Sequence, residues 1–343
     1  MIGELPDGPL DIIGDVHGEL AALERLLDKL DRASRPGEER TLVFVGDLVD
    51  RGPDSPGVLD LVRGLGAHCI LGNHEVNALR NDPQRRRTGE DWWYGREGAF
   101  PSRPVCPEEK EEILLPYLDE RPVALERQDL RVVHACWHES IEGLRGAGSA
   151  IEAFRHYQKA LEPEVDELTD RARRAMAAAG QSVRDLYRES QPPRLVPEYA
   201  LLQERKQMGN PVKIATSGIE RVAAKTFYAG DKWRMVERVP WWEDYTGPPV
   251  IVGHYWRRYS PRLHQDPQKR RADLFGDLPA NAWLGAARQV MCIDYSVGYR
   301  HKERRDGREA YDSCLGALRI PEWEIVFDDD RPPLAVGPPG IGA

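Results

Sequence analysis

The chain has 343 residues and a formal net charge of −9, so it is long enough to bury a large core in one or two domains. The acidic balance argues against general affinity for nucleic acid, and we expect no stable nucleic-acid binding. The five cysteines are scattered without a C-x-x-C pair, which argues against a disulfide framework or a thiolate zinc site. We expect a cytoplasmic protein without membrane contact, because the sequence shows neither a secretory signal nor a long apolar stretch.

The first quarter of the chain alternates strand-like and helix-like segments. Ser55, just before Pro56, is a plausible cap for the second helix. The alternation predicts parallel strands joined by crossover helices, with a site at the carboxyl edge of the sheet. Apolar runs predict strands over residues 10–16, 41–45 and 69–71, and helical spacing predicts helices over residues 19–32 and 53–65.

The rest of the chain is less regular. Residues 81–107 are rich in Arg, Pro, Gly and aromatics and predict a long loop, whereas residues 141–207 predict a helical insertion or cap. We expect one domain over residues 1–327 that includes this insertion, followed by a loose Pro/Gly-rich tail over residues 328–343. A helix is predicted over residues 108–118, and strands are predicted over 121–125, 130–135, 212–216, 232–239, 250–254, 290–295, 313–320 and 323–327.

Polar residues follow several of these strands directly. Asp15 and His17 are two residues apart at a strand end, so both side chains can point the same way. A single histidine of this kind is more often part of a core, but the ordered recurrence of such residues favours one shared site. Carboxylate, amide and imidazole ligands suit divalent metals. The candidate ligands are Asp15, His17, Asp47, Asn73, His134 and His254.

Three motifs give the sequence a specific resemblance. They are Gly-Asp-x-His-Gly at residues 14–18, Gly-Asp-x-Val-Asp-Arg-Gly at 46–52 and Gly-Asn-His-Glu at 72–75. The chain resembles the calcineurin-like metallophosphoesterases, in particular the branch of serine/threonine phosphoprotein phosphatases and bacterial diadenosine tetraphosphatases. This resemblance implies a four-layer α/β fold, in which a central β-sandwich of mixed sheets is flanked by helices and carries two metals at one edge.

The resemblance also implies roles for the ligands. Asp15 and His17 would hold the first metal, and Asp47 would bridge both metals. The second metal would be completed by Asn73, His134 and His254. Many members of the superfamily end in Gly-His-x-His, but residues 253–256 read Gly-His-Tyr-Trp, which is similar to the phosphoprotein phosphatases and leaves the first metal more open to water. We expect two divalent ions, with Mn²⁺ as the first choice and iron or zinc as alternatives.

Three further residues would carry the catalysis. The resemblance implies that His74 is the general acid, that Asp50 orients its ring, and that Arg51 binds the substrate phosphate. The alternative interpretations are that Asp50 only caps a turn and that Arg51 is a surface arginine.

Other candidates are weaker. The family usually adds a second phosphate-binding arginine between the last two metal histidines. Separately, Trp92 and Trp93, with the arginines at 85–87, could form a nucleotide clamp by stacking. A loop that packs its own tryptophans is the alternative. The charged cluster at residues 300–305 is interpreted as a solvated turn. The arginine candidates are Arg234, Arg238 and Arg257.

These expectations converge on a phosphoesterase in which a metal-bridging hydroxide attacks phosphorus directly. Its substrate would be a phosphoprotein or a nucleotide. Asp50 in Asp-Arg-Gly favours a phosphomonoesterase similar to phosphoprotein phosphatases. The continuation Arg51-Gly52-Pro53-Asp54-Ser55 and the aromatic loop keep a dinucleoside polyphosphate hydrolase or an RNA-end phosphatase as alternatives. A catalytically silent scaffold is the distant alternative, because a binding module has no need of the His74–Asp50 pair.

Overall fold

The computed structural model describes residues 1–35, 37–82, 90–96, 102–230, 232–259 and 274–340. The strands are β1 (Ile2–Glu4), β2 (Leu10–Ile13), β3 (Thr41–Phe44), β4 (His68–Cys69), β5 (Ala124–Arg127), β6 (Leu130–Val133), β7 (Glu220–Tyr228), β8 (Trp233–Arg238), β9 (Val250–Val252), β10 (Val290–Cys292), β11 (Gly316–Ile320), β12 (Glu324–Phe327) and β13 (Leu334–Ala335). The helices are α1 (Leu20–Ala33), α2 (Ser55–Gly64), α3 (Asn73–Arg80), α4 (Pro107–Glu109), α5 (Leu115–Asp119), α6 (Ala150–Ala178), α7 (Pro197–Met208), α8 (Pro211–Ser217) and α9 (Arg300–Arg305).

Two mixed sheets form the centre of the fold. The first has the strand order β1-β5-β6-β9-β10, and the second has the order β13-β12-β11-β2-β3-β4. Strands β2, β3 and β4 are parallel, as are β6, β9 and β10, whereas β11 pairs antiparallel with both β2 and β12. Buried apolar side chains from both sheets meet in one core cluster, which makes the pair a sandwich. This arrangement of mixed sheets and helices confirms the predicted fold class.

Strand β2 is apolar on both faces because both faces are covered. Ile12 and its pairing partner Val43 lie in the core between the sheets, whereas Ile13 and its partner Phe44 pack with the buried face of α1. Successive side chains of a strand point to opposite faces, so a continuous apolar run is what a strand between two layers requires.

Two local predictions are wrong. Residues 212–216 form helix α8 instead of a strand: Asn210 caps the helix by accepting a hydrogen bond from the Val212 N–H at 3.1 Å, and Pro211 occupies the first turn. This start signal outweighs the β-branched alternation. The cap of α2 is Asp54, which accepts from the Gly57 N–H at 2.8 Å, so Ser55 is the first helical residue.

The region of the expected helical insertion contains α6 and α7, which pack against each other through a small apolar cluster. The β7–β8 hairpin adds to it, and Met235 of β8 packs with Met176 and Ala200 of the two helices. The sequence did not indicate β7. Among the described residues, no helix combines the length and the apolar character needed to cross a bilayer.

The carboxyl-terminal part contains a buried ion pair. Arg300 Nη1 and Nη2 donate to the two carboxylate oxygens of Asp328 at 2.8 and 2.9 Å, and both side chains are buried. The interpretation of residues 300–305 as a solvated turn is therefore wrong, because these residues form α9 and Arg300 is buried. The sequence could not show this, since the partner of Arg300 is distant in the chain. Asp328 and β13 belong to the segment expected to be a loose tail, and β13 pairs with β12.

Candidate active site

The candidate ligands lie at the carboxyl ends of strands from both sheets. Asp15 and His17 follow β2, Asp47 follows β3, and Asn73 begins α3 shortly after β4. His134 directly follows β6. In the first sheet β9 is the parallel neighbour of β6, and His254 comes two residues after β9. Because the carboxyl ends of these parallel strands meet at one edge of the sandwich, all six side chains are brought to one place.

The ligand atoms form two groups that share Asp47. One group is His17, Asp47 and His74, and the other is Asp47, His134 and His254. Within each group the ligand atoms all lie within 4.8 Å of one another. Asp47 Oδ2 is 3.3 Å from His134 Nε2 and 3.7 Å from His17 Nε2. Asp15 Oδ2 lies 3.8 Å from His17 Nε2. A carboxylate placed between two sets of imidazoles can bind two cations at once.

The two central histidines are oriented by backbone carbonyls. His17 Nδ1 is 3.1 Å from the Val49 oxygen, and His134 Nδ1 is 2.7 Å from the Val45 oxygen. A carbonyl oxygen only accepts, so Nδ1 carries the proton in each ring and the Nε2 lone pair faces the site. Among the described residues, Nε2 of buried His134 and of buried His254 has no hydrogen-bond partner, which costs free energy. A cation fits at His134, because its Nε2 lone pair and the Asp47 Oδ2, 3.3 Å apart, are both acceptors.

The Asn73 amide lies beside His254. Its nitrogen donates to His254 Nδ1 at 2.8 Å and to the Thr216 oxygen at 3.3 Å, and its oxygen accepts from the His74 N–H at 3.3 Å. Asn73 is thus in direct contact with both neighbouring histidines of the site.

Burial and neighbouring charges shift the pKa values of Asp47 and His134 in opposite directions. Burial raises the pKa of Asp47, but the neighbouring imidazoles of His134, His74 and His17 outweigh it and hold the pKa well below its usual range. Burial lowers the pKa of His134, but Asp47 and Asp15 raise it to about 10. Burial and then the Asp294 charge raise the pKa of Asp15. Without a cation the site therefore attracts protons, and a divalent cation would replace them.

Glu75 fixes the loop that carries Asp47, a role that the sequence analysis missed. Its Oε2 accepts from the N–H groups of Asp47 and Gly72, both at 2.8 Å, and its Oε1 accepts from those of Leu48 at 2.7 Å and Val49 at 3.2 Å. Glu75 is fully buried. Burial raises its pKa to about 7. The signal available in the sequence was its position as the third residue of α3, three residues after the N-cap Gly72, where a glutamate can reach back to the backbone.

The backbone of the site is strained. Non-glycine residues rarely adopt positive φ angles, and they do so mainly where surrounding contacts enforce them. The hydrogen bonds of Glu75 supply such contacts for Asp47. The residues of the site with φ between 49° and 73° are His17, Asp47, Asp50, Arg51, His254 and Trp256.

His74, which belongs to the first ligand group, also contacts Asp50 and Arg51. His74 Nδ1 is hydrogen-bonded to Asp50 Oδ2, and Arg51 Nη2 lies 3.2 Å from His74 Nε2. Arg51 Nη1 donates to His17 Nε2 at 2.6 Å. Burial lowers the pKa of His74, but the carboxylates of Asp47 and Asp50 raise it above its ordinary value. His74 is thus placed to hold a proton at the edge of the candidate metal groups.

Asp294 and Trp256 are further parts of the site that the sequence analysis missed. Buried Asp294 follows β10 and accepts from the Trp256 N–H and the Ser296 N–H, both at 2.8 Å. The Trp256 ring lies 4.6 Å from the Arg51 guanidinium. The signal for Asp294 was a carboxylate near the end of the strand predicted over residues 290–295, and Trp256 occupies the position of the missing second histidine.

The expected tryptophan clamp is wrong. Trp92 and Trp93 are each only 2% exposed and pack with each other, with ring centroids 5.2 Å apart. The loop therefore buries its own tryptophans instead of presenting them to a base. Residues 85–87, which were part of the same prediction, lie outside the described residues.

The three candidate arginines differ in their surroundings. Arg257 is buried, and its Nη2 donates to the backbone oxygens of Pro279 at 2.6 Å and Ala282 at 2.8 Å, so its prediction as a phosphate ligand is corrected. Arg234 Nε donates to Ala229 in its own hairpin. Exposed Arg238 lies near the second group: burial and then the Arg238 charge lower the pKa of His254.

Comparison with known proteins gives a family and several partial relatives. Residues 8–164 match the family described as calcineurin-like phosphoesterase. The chain is 34% identical over 130 residues to the symmetrical bis(5'-nucleosyl)-tetraphosphatase of Janthinobacterium sp. (strain Marseille), covering 36% of this chain and 42% of that one. It is 50% identical over 74 residues to the asymmetrical bis(5'-nucleosyl)-tetraphosphatase PrpE of Oceanobacillus iheyensis, covering 19% and 30%.

A relative with a different name matches the chain over a similarly short stretch. The chain is 37% identical over 87 residues to serine/threonine-protein phosphatase 1 of Salmonella typhimurium, covering 24% of this chain and 39% of that protein. The chain therefore matches less than half the length of each of these relatives.

Proposed function

We propose, from the match of residues 8–164 to the calcineurin-like phosphoesterase family, that the chain is a metal-dependent hydrolase of phosphate esters or anhydrides. The observation that carries the proposal is that two groups of ligand atoms share Asp47, and that His74, a member of the first group, is hydrogen-bonded through its other ring nitrogen to Asp50. A scaffold without turnover would have no use for a proton donor in that position.

The proposed cation ligands follow from the positions of the side chains. Asp15, His17 and Asp47 would hold one ion, and Asp47, with the donors after β4, β6 and β9, would hold the other. Two such ions supply an activated water and neutralise charge on the phosphoryl group. We propose Mn²⁺, with iron or zinc as alternatives, because the ligands mix oxygen and nitrogen. The donors after β4, β6 and β9 are Asn73, His134 and His254.

His74 is the proposed general acid. Its Nδ1 is engaged by Asp50, so Nε2 is the ring atom that can give a proton to the leaving oxygen. Burial lowers the pKa of His74, but the carboxylates of Asp47 and Asp50 raise it above its ordinary value, which favours the protonated ring that a general acid requires. Asp50 orients the ring and stabilises its charged form.

Arg51 and Arg238 are the proposed phosphate ligands. Arg51 Nη1 now donates to His17 Nε2. A cation held by that nitrogen would occupy its lone pair, and the Arg51 guanidinium would then be available to bind two phosphate oxygens. Arg238 is exposed near His254 and would approach the phosphate from the other side.

We propose a phosphomonoester of the phosphoprotein type as the substrate, because Asp50 is retained in Asp-Arg-Gly. A dinucleoside polyphosphate is the second candidate. It is favoured by the relatives named as tetraphosphatases and by Tyr299, an exposed ring 6.0 Å from Trp256 on which a base could stack.

A substrate panel tests the proposal. The purified protein is treated with a chelator, supplied with Mn²⁺, and assayed on phosphopeptides, diadenosine tetraphosphate and RNA with terminal phosphates. Turnover of phosphopeptides alone supports the first candidate, and turnover of diadenosine tetraphosphate alone supports the second. If no substrate, including 4-nitrophenyl phosphate, is hydrolysed in a metal-dependent manner, the proposed function is overturned.

A further inference from the structure

We infer that Trp92 is a positioning residue for the general acid, because its indole N–H holds Asp50 in the orientation that serves His74. The inference rests on the proposed function and adds to it a residue outside the three sequence motifs. It also gives the buried aromatic loop a role other than base stacking.

The two oxygens of Asp50 have separate donors. Trp92 Nε1 donates to Asp50 Oδ1 at 2.6 Å, and His74 Nδ1 is bonded to Oδ2. The Asp50 N–H donates to Ser55 Oγ at 2.9 Å, and the Asp50 backbone has a φ of 73°. Both the backbone and the carboxylate are therefore held. In a buried site, charge-assisted hydrogen bonds of this kind are strong and directional.

Trp92 is itself held by the loop around it. It lies in a short 3-10 turn, Asp91–Tyr94, and its carbonyl accepts from the Val105 N–H at 3.1 Å. The ring of Trp93 contacts it edge to face. Among the described residues, Trp93 Nε1 has no hydrogen-bond partner. Of two adjacent tryptophans with equal burial, Trp92 thus donates to the catalytic pair and Trp93 does not.

This difference has a chemical consequence. Without the indole donor, Asp50 Oδ1 is buried without its partner, and the carboxylate can rotate away from His74. Proton transfer to a basic leaving oxygen then slows, whereas an activated aryl oxygen leaves without much help. Substrate affinity changes little, because the indole bonds to Asp50 and not to Arg51.

The experiment compares Trp92→Phe with Trp93→Phe as a matched control. Both variants are assayed with Mn²⁺ on 4-nitrophenyl phosphate and on glycerol 2-phosphate. We expect Trp92→Phe to lower kcat on the alkyl substrate about tenfold more than on the aryl substrate, since general acid catalysis as a whole contributes about 10²–10⁴-fold. KM should change less than about twofold. Trp93→Phe should lower kcat on both substrates by the same factor.

A double-mutant cycle separates positioning from mere packing. If Trp92 acts through Asp50, Trp92→Phe adds no further leaving-group dependence in an Asp50→Asn background. Equal alkyl-to-aryl ratios for Trp92→Phe and Trp93→Phe, or additive effects in the cycle, overturn the inference while wild-type turnover leaves the proposed function standing. Absence of metal-dependent turnover in the wild type overturns both.

If Trp92→Phe does not fold, the indole N–H signals of the ¹⁵N-labelled wild type and Asp50→Asn proteins give the answer. In the wild type, the hydrogen bond to the charged Asp50 carboxylate should shift one indole N–H signal downfield. Asp50→Asn removes that charge, so this signal should move upfield while the others stay in place. If no indole signal moves, the inference is overturned.

Discussion

Glu75 binds the backbone of Asp47: the Asp47 N–H donates to Glu75 Oε2 at 2.8 Å, and the same oxygen accepts from the Gly72 N–H. One buried side chain therefore joins the loop after β3 to the start of α3. The carboxylate shared by both ligand groups is on the first loop, and His74 is on the helix. Their mutual position is held by this contact and by the His74 N–H, which donates to Asp47 Oδ1 at 3.0 Å.

Replacement of Glu75 by Gln should loosen the site. The Gln amide nitrogen would face N–H donors on one side and leave them buried without an acceptor, so we expect a loss of about 2–3 kcal/mol in the free energy of unfolding. Mn²⁺ affinity should fall about 10–100-fold. Urea denaturation and calorimetric titration measure the two effects, with exposed Glu108→Gln as the control. Unchanged Mn²⁺ affinity would contradict the role of Glu75 in holding the loop that carries Asp47.

Asp47→Asn should abolish metal-dependent hydrolysis of 4-nitrophenyl phosphate. The substitution removes the charge shared by both ligand groups while keeping the shape of the side chain, and we expect a loss of about 10³-fold or more in kcat. Asp129→Asn, with its largely exposed side chain, is the control. Undiminished activity of Asp47→Asn would refute the site.

His74→Asn should affect substrates according to their leaving groups. Because His74 is bonded to Asp50 and faces the ligand groups, we expect kcat for an alkyl phosphate to fall about 10²-fold or more and kcat for an aryl phosphate to fall much less. Steady-state kinetics on both substrates provide the check. Equal losses would remove His74 from the role of acid.

Metal binding should stabilise the fold itself. The unsatisfied Nε2 atom of His134 gains a partner, and a ligand present at 100 times its Kd stabilises by about 2.7 kcal/mol. The melting temperature should therefore rise when Mn²⁺ is added to chelated protein. The double variant His134→Ala, His254→Ala should lose most of this rise, and an undiminished rise would place the cation elsewhere.

The carboxyl-terminal ion pair should matter for stability. Asp328→Asn leaves buried Arg300 without its charged partner, so we expect a loss of about 3–5 kcal/mol in the free energy of unfolding. Urea denaturation measures it, with exposed Asp330→Asn as the control. If the two variants are equally stable, the pair contributes nothing.

The fold class and the family match of residues 8–164 could be predicted because their signals are local. Strand ends followed by polar motifs are visible in the sequence, and the structure brings the six candidate ligands to one edge. Their roles stay predictions. Trp92 could not be placed, because its partner Asp50 is 42 residues away, and a hydrogen bond between distant loops leaves no periodic pattern. Arg300 was misjudged for the same reason.

The error at residues 212–216 has a different origin. Val212, Ile214 and Thr216 alternate as in a strand, and the apolar period of two was given more weight than the start signal of Asn210 and Pro211. All three residues are buried, so the pattern correctly indicated burial. The cap decided the secondary structure.

The ligands of the second group come from both sheets, and this has a mechanical consequence. Asp47 extends from the six-stranded sheet, whereas His134 and His254 extend from the five-stranded one. An ion bound by all three would cross-link the two sheets at their edge, much as a disulfide cross-links two segments. Chelation should then increase local opening of the sandwich, and the amide protons at the ends of β3, β6 and β9 should exchange faster with deuterium.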